Sequence, residues 1–137
     1  MKKILIDSDV CLDSITSRYP FSVNADKILQ LAEENTIEAL VTAESFSNMF
    51  YILRKLSNPA KAISVLKDLR SVVQIAAVGH SVIDSALNSA WTDFEDAIQY
   101  HCAIEVKCDA IVTRNVSDFK KASIPVHSPP EFLSQYH

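Results

Sequence analysis

Two hydrophobic rhythms alternate along the chain. Short apolar runs occur in "KILI" near the start, in "IEALVT", in "SVVQIAAV" and in "DAIVT", with a last extended piece in "IPVHS". Runs of this length, rich in Ile and Val, predict buried strands. Between them apolar positions recur every three or four residues, the spacing of a helix with one buried face. "DVCLDSITSRY" predicts a turn or two of helix stopped near Pro20. "SVNADKILQLAEEN" predicts a helix built on Ala25, Ile28, Leu29, Leu31 and Ala32, ending at Asn35. "AESFSNMFYILRKL" sets Phe46, Met49, Phe50 and Leu53 at helical intervals, continued by Leu56. "SNPAKAISVLKDLR" predicts another helix, capped by Ser57 or Asn58 with Pro59 in its first turn. "HSVIDSALNSAW" and "TDFEDAIQYHCAIEVK" follow as helices, the second capped by Thr92 or Asp93. "RNVSDFKKA" reads as loop and turn, and "PPEFLSQYH" as a terminal helix starting at its prolines.

Short strands separated by longer helices predict an α/β fold with a mainly parallel central sheet. At 137 residues the whole chain is expected to form one domain, residues 1–137, able to bury its own core. No apolar run approaches the roughly 20 residues of a membrane span. The three-residue apolar run behind the two N-terminal lysines is far short of a leader, so a cytoplasmic protein with no membrane partner is expected. The cysteines, Cys11, Cys102 and Cys108, are odd in number and lack CxxC spacing, which predicts reduced, buried thiols. Gly79 is the one glycine, and this excludes the Gly-rich loops that cradle phosphates.

The acids change the picture. "KKILIDSDVCLD" runs an apolar strand into Asp7, Asp9 and Asp13. Close, partly buried carboxylates repel one another unless a cation sits between them. In open α/β sheets, ligands sit beyond the C-terminal ends of the strands. Asp7 follows the first strand, Glu44 follows "ALVT", and Asp118 follows "AIVT" through "RNVSD". Asp93 and Asp96 open a helix three residues apart and share a face. Such a carboxylate pocket suits Mg²⁺ or Mn²⁺. Taken singly, Glu44, Asp93 and Asp96 are better explained as acids favoured by the helix dipole. Asp13 is expected on the helix surface or in an accessory hydrogen bond. Glu95, between Asp93 and Asp96, is expected to point elsewhere.

Charge and the remaining residue types narrow the choice. The net charge of −4 carries no basic footprint of nucleic-acid binding. Divalent ions gathered at one acidic site would invert the sign locally. His80, His101, His127 and His137 form no HxH or HExxH spacing, which argues against a zinc hydrolase. Phe46, Phe50, Tyr51 and Phe94 are expected in the core.

The ordered blocks "IDSDV", "TAESFSNMFYIL" and "DFEDAIQYHCAIEVKCDAIVTRNVSDF" together resemble the PIN-domain ribonucleases, including the VapC-like toxins of bacterial toxin–antitoxin pairs. The resemblance runs from Lys3 to about Pro130, and the "DFED" helix start matches a subgroup. It implies a three-layer α/β/α sandwich and a metal-dependent endoribonuclease. Its catalytic acids fall on Asp7, Glu44, Asp96 and Asp118, with Asp93 as an additional ligand for Mg²⁺ or Mn²⁺. Thr113 and Asn115 match a polar pair that binds metal-bound water or holds Asp118. Many relatives carry Asn where Asp9 stands, which leaves Asp9 as ligand, helix cap or supporting group. The resemblance also implies an RNA substrate, an antitoxin protein as partner, and a homodimer formed by the helices around Phe46 to Leu56. Arg54, Lys55, Arg114, Lys120 and Lys121 are candidates for guiding the RNA backbone, with Arg18 weaker.

Two rivals stay open at this point. "DSDVC" looks like the start of a haloacid dehalogenase-type phosphatase, with Asp7 as nucleophile and Asp9 as acid/base, although Cys11 stands where that pattern has Thr. Alternatively, the fold is a non-catalytic PIN-like binding module.

Overall fold

A computed structural model describes residues 1–136 of the chain. His137 lies outside them. The chain opens with β1 (Lys2–Ile6), α1 (Ser8–Ile15) and α2 (Phe21–Glu33), followed by β2 (Ile37–Thr42), α3 (Ala43–Leu56) and α4 (Pro59–Arg70). Then come β3 (Gln74–Ala76), α5 (His80–Leu87), α6 (Phe94–Glu105), β4 (Ala110–Val112), β5 (Val126–His127) and α7 (Pro129–Leu133). The strands form one parallel sheet in the order β3-β2-β1-β4-β5.

Strand periodicity explains the layers. Successive side chains of a strand point to opposite faces. Ile4 and Ile6 therefore enter one core with Ala39, Val41, Ala110 and Val112, together with Ile28, Met49 and Phe132 from the helices. Leu5, Leu40 and Ile111 enter the other core with Val82, Ile98 and Cys102. Both faces are covered, so the central strands carry no polar alternation and read as continuous apolar runs. The expected three-layer α/β/α sandwich is the observed fold.

Most expected elements form, with shifted edges. "SVVQIAAV" pairs only over Gln74–Ala76 and "IPVHS" only over Val126–His127. The loop "RNVSDFKKA" contains a 3₁₀ turn, Val116–Phe119, that carries Asp118. Asn58 is the cap of α4, its Oδ1 accepting from the Lys61 N–H at 2.9 Å, and Pro59 occupies the first turn. All three cysteines are buried and free. Phe46 and Phe50 pack against the core as expected, but Tyr51 and Phe94 stand half in solvent. Tyr51 falls on the outer side of α3, and Phe94 is the first residue of α6, where no preceding turn covers it. Among the described residues no helix is long and apolar enough to cross a membrane.

Chain order places the site. From β1 the sheet grows through β2 to β3 on one side and through β4 to β5 on the other. The growth direction reverses beside β1, which opens a crevice at the C-terminal ends of the strands. Asp7, Glu44 and Asp118 all follow those ends.

Candidate acidic site at the sheet edge

Asp7 caps α1 where β1 ends, and its backbone N–H donates to the Val112 carbonyl of β4 at 3.0 Å. The residue is only 4% exposed. Thr113 Oγ1 donates to Asp7 Oδ2 at 2.7 Å, and Gln99 Nε2 donates to Asp7 Oδ1 at 3.3 Å. Burial raises the Asp7 carboxyl above its ordinary range; the Thr113 bond opposes this and the Asp9 charge adds to it. Glu44 sits in the first turn of α3, where Thr42 donates a hydrogen bond to its carboxylate. Burial raises Glu44 too, with the Asp7 charge contributing.

Asp96 is the most perturbed acid of the group. Burial pushes it up to about 7, and the charges of Asp93, Asp7, Asp118 and Glu95 push in the same direction. No Lys, Arg or His is among the influences on Asp7, Glu44 or Asp96. The charges acting on them belong to other carboxylates, which repel them. Among the described residues no three His, Cys, Asp or Glu side chains stand close enough together to hold a metal ion as placed. The donor set, carboxylate oxygens with supporting hydroxyl and amide groups, suits a hard divalent cation.

Asp93, one of the two expected caps, is the helix cap: its Oδ1 accepts from the Asp96 N–H at 2.9 Å, so one carboxylate oxygen is already engaged. Other sequence expectations need correction. Thr113 and Asn115 hold the first acids instead of the side chain of Asp118. Thr113 binds Asp7, while Asn115 Nδ2 donates to Asp9 Oδ2 at 3.1 Å. Asn115 reaches Asp118 only through its carbonyl, which accepts the Asp118 N–H at 2.9 Å. Asp9 is thus tied to the end of β4 as a supporting group.

Glu95 does not turn away from the site. Burial raises its carboxyl, and the charges of Glu44, Asp7 and Asp93 add to the effect. Side chains in a helix tilt toward its N-terminus, so successive first-turn residues can all reach the mouth of one crevice.

Asp13 is not on the surface. It is 2% exposed, with its Oδ2 2.7 Å from Arg114 Nε. Arg114 is therefore committed to Asp13 instead of standing free for RNA. Arg54 and Lys55 occupy the last turn of α3, at the opposite end from Glu44 and roughly 15 Å along the axis. There they complement the helix dipole. Lys120 and Lys121 do lie near the acids, lining with Asp118 and Trp91 a cleft of about 240 Å³. Arg18 is exposed and adds a favourable charge to Asp13.

Gln99 escaped the sequence reading. It is 1% exposed, one turn after Asp96, and its Oε1 has no partner. The signal was present: an amide interrupts the buried stripe Ala97, Ile98, Cys102 and Ala103.

The raised Asp96 carboxyl sets a pH dependence. Asp96 holds its proton more tightly folded than unfolded, so its stabilising contribution is complete below its ordinary value of 3.8 and is lost as pH rises through about 7. The melting temperature of the metal-free protein is expected to fall across that window, and Asp96→Asn to flatten part of the slope. Mn²⁺ affinity should rise over the same range as the carboxylate ionises. Thermal melts and Mn²⁺ titrations at fixed ionic strength check both; a slope untouched by Asp96→Asn would clear Asp96 as its source.

Comparison with known proteins gives a consistent set of matches. The family model of the PIN domain matches residues 3–117. The chain is 26% identical over 144 residues to Ribonuclease VapC1 of Aquifex aeolicus, covering 99% of this chain and 96% of that protein. It superposes on DNA-bound VapBC from Salmonella typhimurium with a TM-score of 0.72 at 13% identity, covering 94% of this chain and 99% of that one. A toxin-antitoxin complex from Klebsiella pneumoniae gives a TM-score of 0.68 at 19% identity over 92% of this chain and 97% of that one.

Proposed function

The chain belongs to the PIN-domain family, and on that premise we propose that it is a metal-dependent endoribonuclease, the toxin of a toxin–antitoxin pair. The observation that carries this reading is the set of uncompensated carboxylates at the strand ends. Burial and mutual repulsion raise Asp7, Glu44 and Asp96 together. A protein keeps such a set at a stability cost unless a cation binds there. The phosphatase alternative finds no comparable support, and Cys11 is fully buried in the core behind the first acid.

Asp7, Asp96 and Asp118 would hold Mg²⁺ or Mn²⁺, with Glu44 completing the set and Asp93 adding its second oxygen. A divalent ion bound there supplies an activated water and neutralises charge on the phosphate. The protein's own groups do the positioning. Thr113 and Gln99 fix both oxygens of Asp7, and Asn115 fixes Asp9. Lys120 and Lys121 lie where they can meet RNA phosphates that approach Asp118.

The same reading treats residues 1–137 as one PIN-like domain acting in the cytoplasm, with an antitoxin protein as partner. The toxin-antitoxin complexes among its structural relatives support that partner. Tyr51, Ile52 and Leu56, exposed along α3, offer an apolar surface for a second copy.

Incubation with mixed cellular RNA tests the activity. Fragments are expected with Mn²⁺ or Mg²⁺ and none with EDTA. RNA left intact despite measurable Mn²⁺ binding would point to a narrow substrate; no metal binding at all would favour the non-catalytic module.

A further inference from the structure

A cavity lies beside Asn115, which is one of its lining residues. It has a volume of about 410 Å³, within the range of roughly 300–1,000 Å³ usual for small-molecule sites. Pro20, Phe21 and Pro130 give it apolar walls, and Asn24, Arg114 and Asn115 give it polar ones. Phe21 carries the Arg114 guanidinium 4.2 Å from its ring centroid and still keeps 42% of its surface in solvent. Asn24 is half-buried in the wall, where its amide offers two donors and an acceptor.

Two features say what fits there. The first is neutrality. The Arg114 charge is met by the buried Asp13 carboxylate, so the described residues that line the cavity include no free cation to attract a phosphate. The second is continuity with the acids. Asn115 lines the cavity, donates to Asp9 and accepts the Asp118 N–H through its carbonyl. A neutral, flat, apolar-faced group with polar edges is what this wall composition complements. Unpaired bases have that character and are held in single-stranded RNA sites by stacking and by hydrogen bonds to their edges.

We propose that this cavity holds an unpaired nucleobase of the RNA, next to the phosphate that is cut. Phe21 and the flanking prolines supply the stacking surface, and Asn24 and Asn115 read the base edge. The assignment rests on the nuclease reading, and it makes Asn24 a specificity-determining residue.

Titration with the four ribonucleoside 5′-monophosphates, followed by the side-chain amide NMR signals of Asn24 and Asn115, tests it without cleavage. At least one nucleotide is expected to shift both signals together and saturably. Phe21→Leu and Asn24→Ala should each weaken that nucleotide about tenfold, with thermal melts showing that both variants stay folded. Inorganic phosphate alone should leave the signals in place. Signals unmoved by all four nucleotides, shifts reproduced by phosphate alone, or affinities unchanged in both variants would each overturn the assignment.

Cleavage of a random-sequence RNA separates this failure from failure of the nuclease reading. A base preference beside the cut that relaxes in Asn24→Ala supports the pocket. Cutting whose preference is the same in Asn24→Ala removes the pocket and leaves the nuclease. An RNA pool left intact by a protein that also binds no Mn²⁺ removes the nuclease, and the nucleotide titration then decides the cavity by itself.

Discussion

Asp96→Asn is expected to reduce metal-dependent RNA cleavage by about two to three orders of magnitude, the usual loss when a charge-stabilising group is removed from an active site. The substitution preserves shape and removes one charge. Asp96 is the acid on which the others press hardest: burial lifts its carboxyl to about 7, with Asp93, Asp7, Asp118 and Glu95 adding to the rise. Losing that charge relieves repulsion in the metal-free protein, so stability should hold or increase while activity collapses. Initial rates and thermal melts on the same preparations give both readings. A collapse in rate accompanied by a large fall in melting temperature would mean that Asp96 supports the fold; an undiminished rate would remove Asp96 from the proposed chemistry.

Arg114→Ala is expected to destabilise the fold by about 3 kcal/mol. This is the low end of the range for breaking a buried pair, because Arg114 keeps 23% of its side chain exposed while Asp13 keeps 2%. Removing the guanidinium leaves the Asp13 carboxylate buried with only the more distant Arg18 charge to help it. The double substitution Asp13→Leu with Arg114→Met should recover most of the loss, since two apolar side chains leave no orphaned charge. Chemical denaturation of both proteins gives the comparison. A double variant as unstable as the single one would show that packing around Phe21, and not the ion pair, sets the cost.

The layers and the first acid were legible because they are local. A strand that feeds side chains to two cores reads as an unbroken apolar run, and Asp7 is conspicuous as the polar residue that ends it. Glu44 and Asp96 were legible as helix-start acids, a pattern with two explanations, and only the sheet's connectivity brings them to one crevice. The supporting contacts were not legible, because their partners lie far apart in the chain. Gln99 meets Asp7 across 92 positions, and Arg114 meets Asp13 across 101. Charge type misled for Arg54 and Lys55, since a basic residue says nothing of its place until its helix end is known. Glu95 was misjudged by helical spacing alone, which breaks down in the first turn, where side chains lean out over the helix end.

The central position of β1 bears on how the protein comes into being. The first strand made must wait for the fourth: its inner edge pairs with Ala110–Val112, and the hydroxyl that steadies Asp7 belongs to Thr113. Chains emerge from the ribosome N-terminus first. An unfinished chain therefore carries Asp7 and Glu44 but lacks both the strand that seats Asp7 and the turn that carries Asp118. On the proposed reading the acidic crevice is complete only once the chain has been made past Asp118, so a product stalled before that residue is expected to leave RNA uncut.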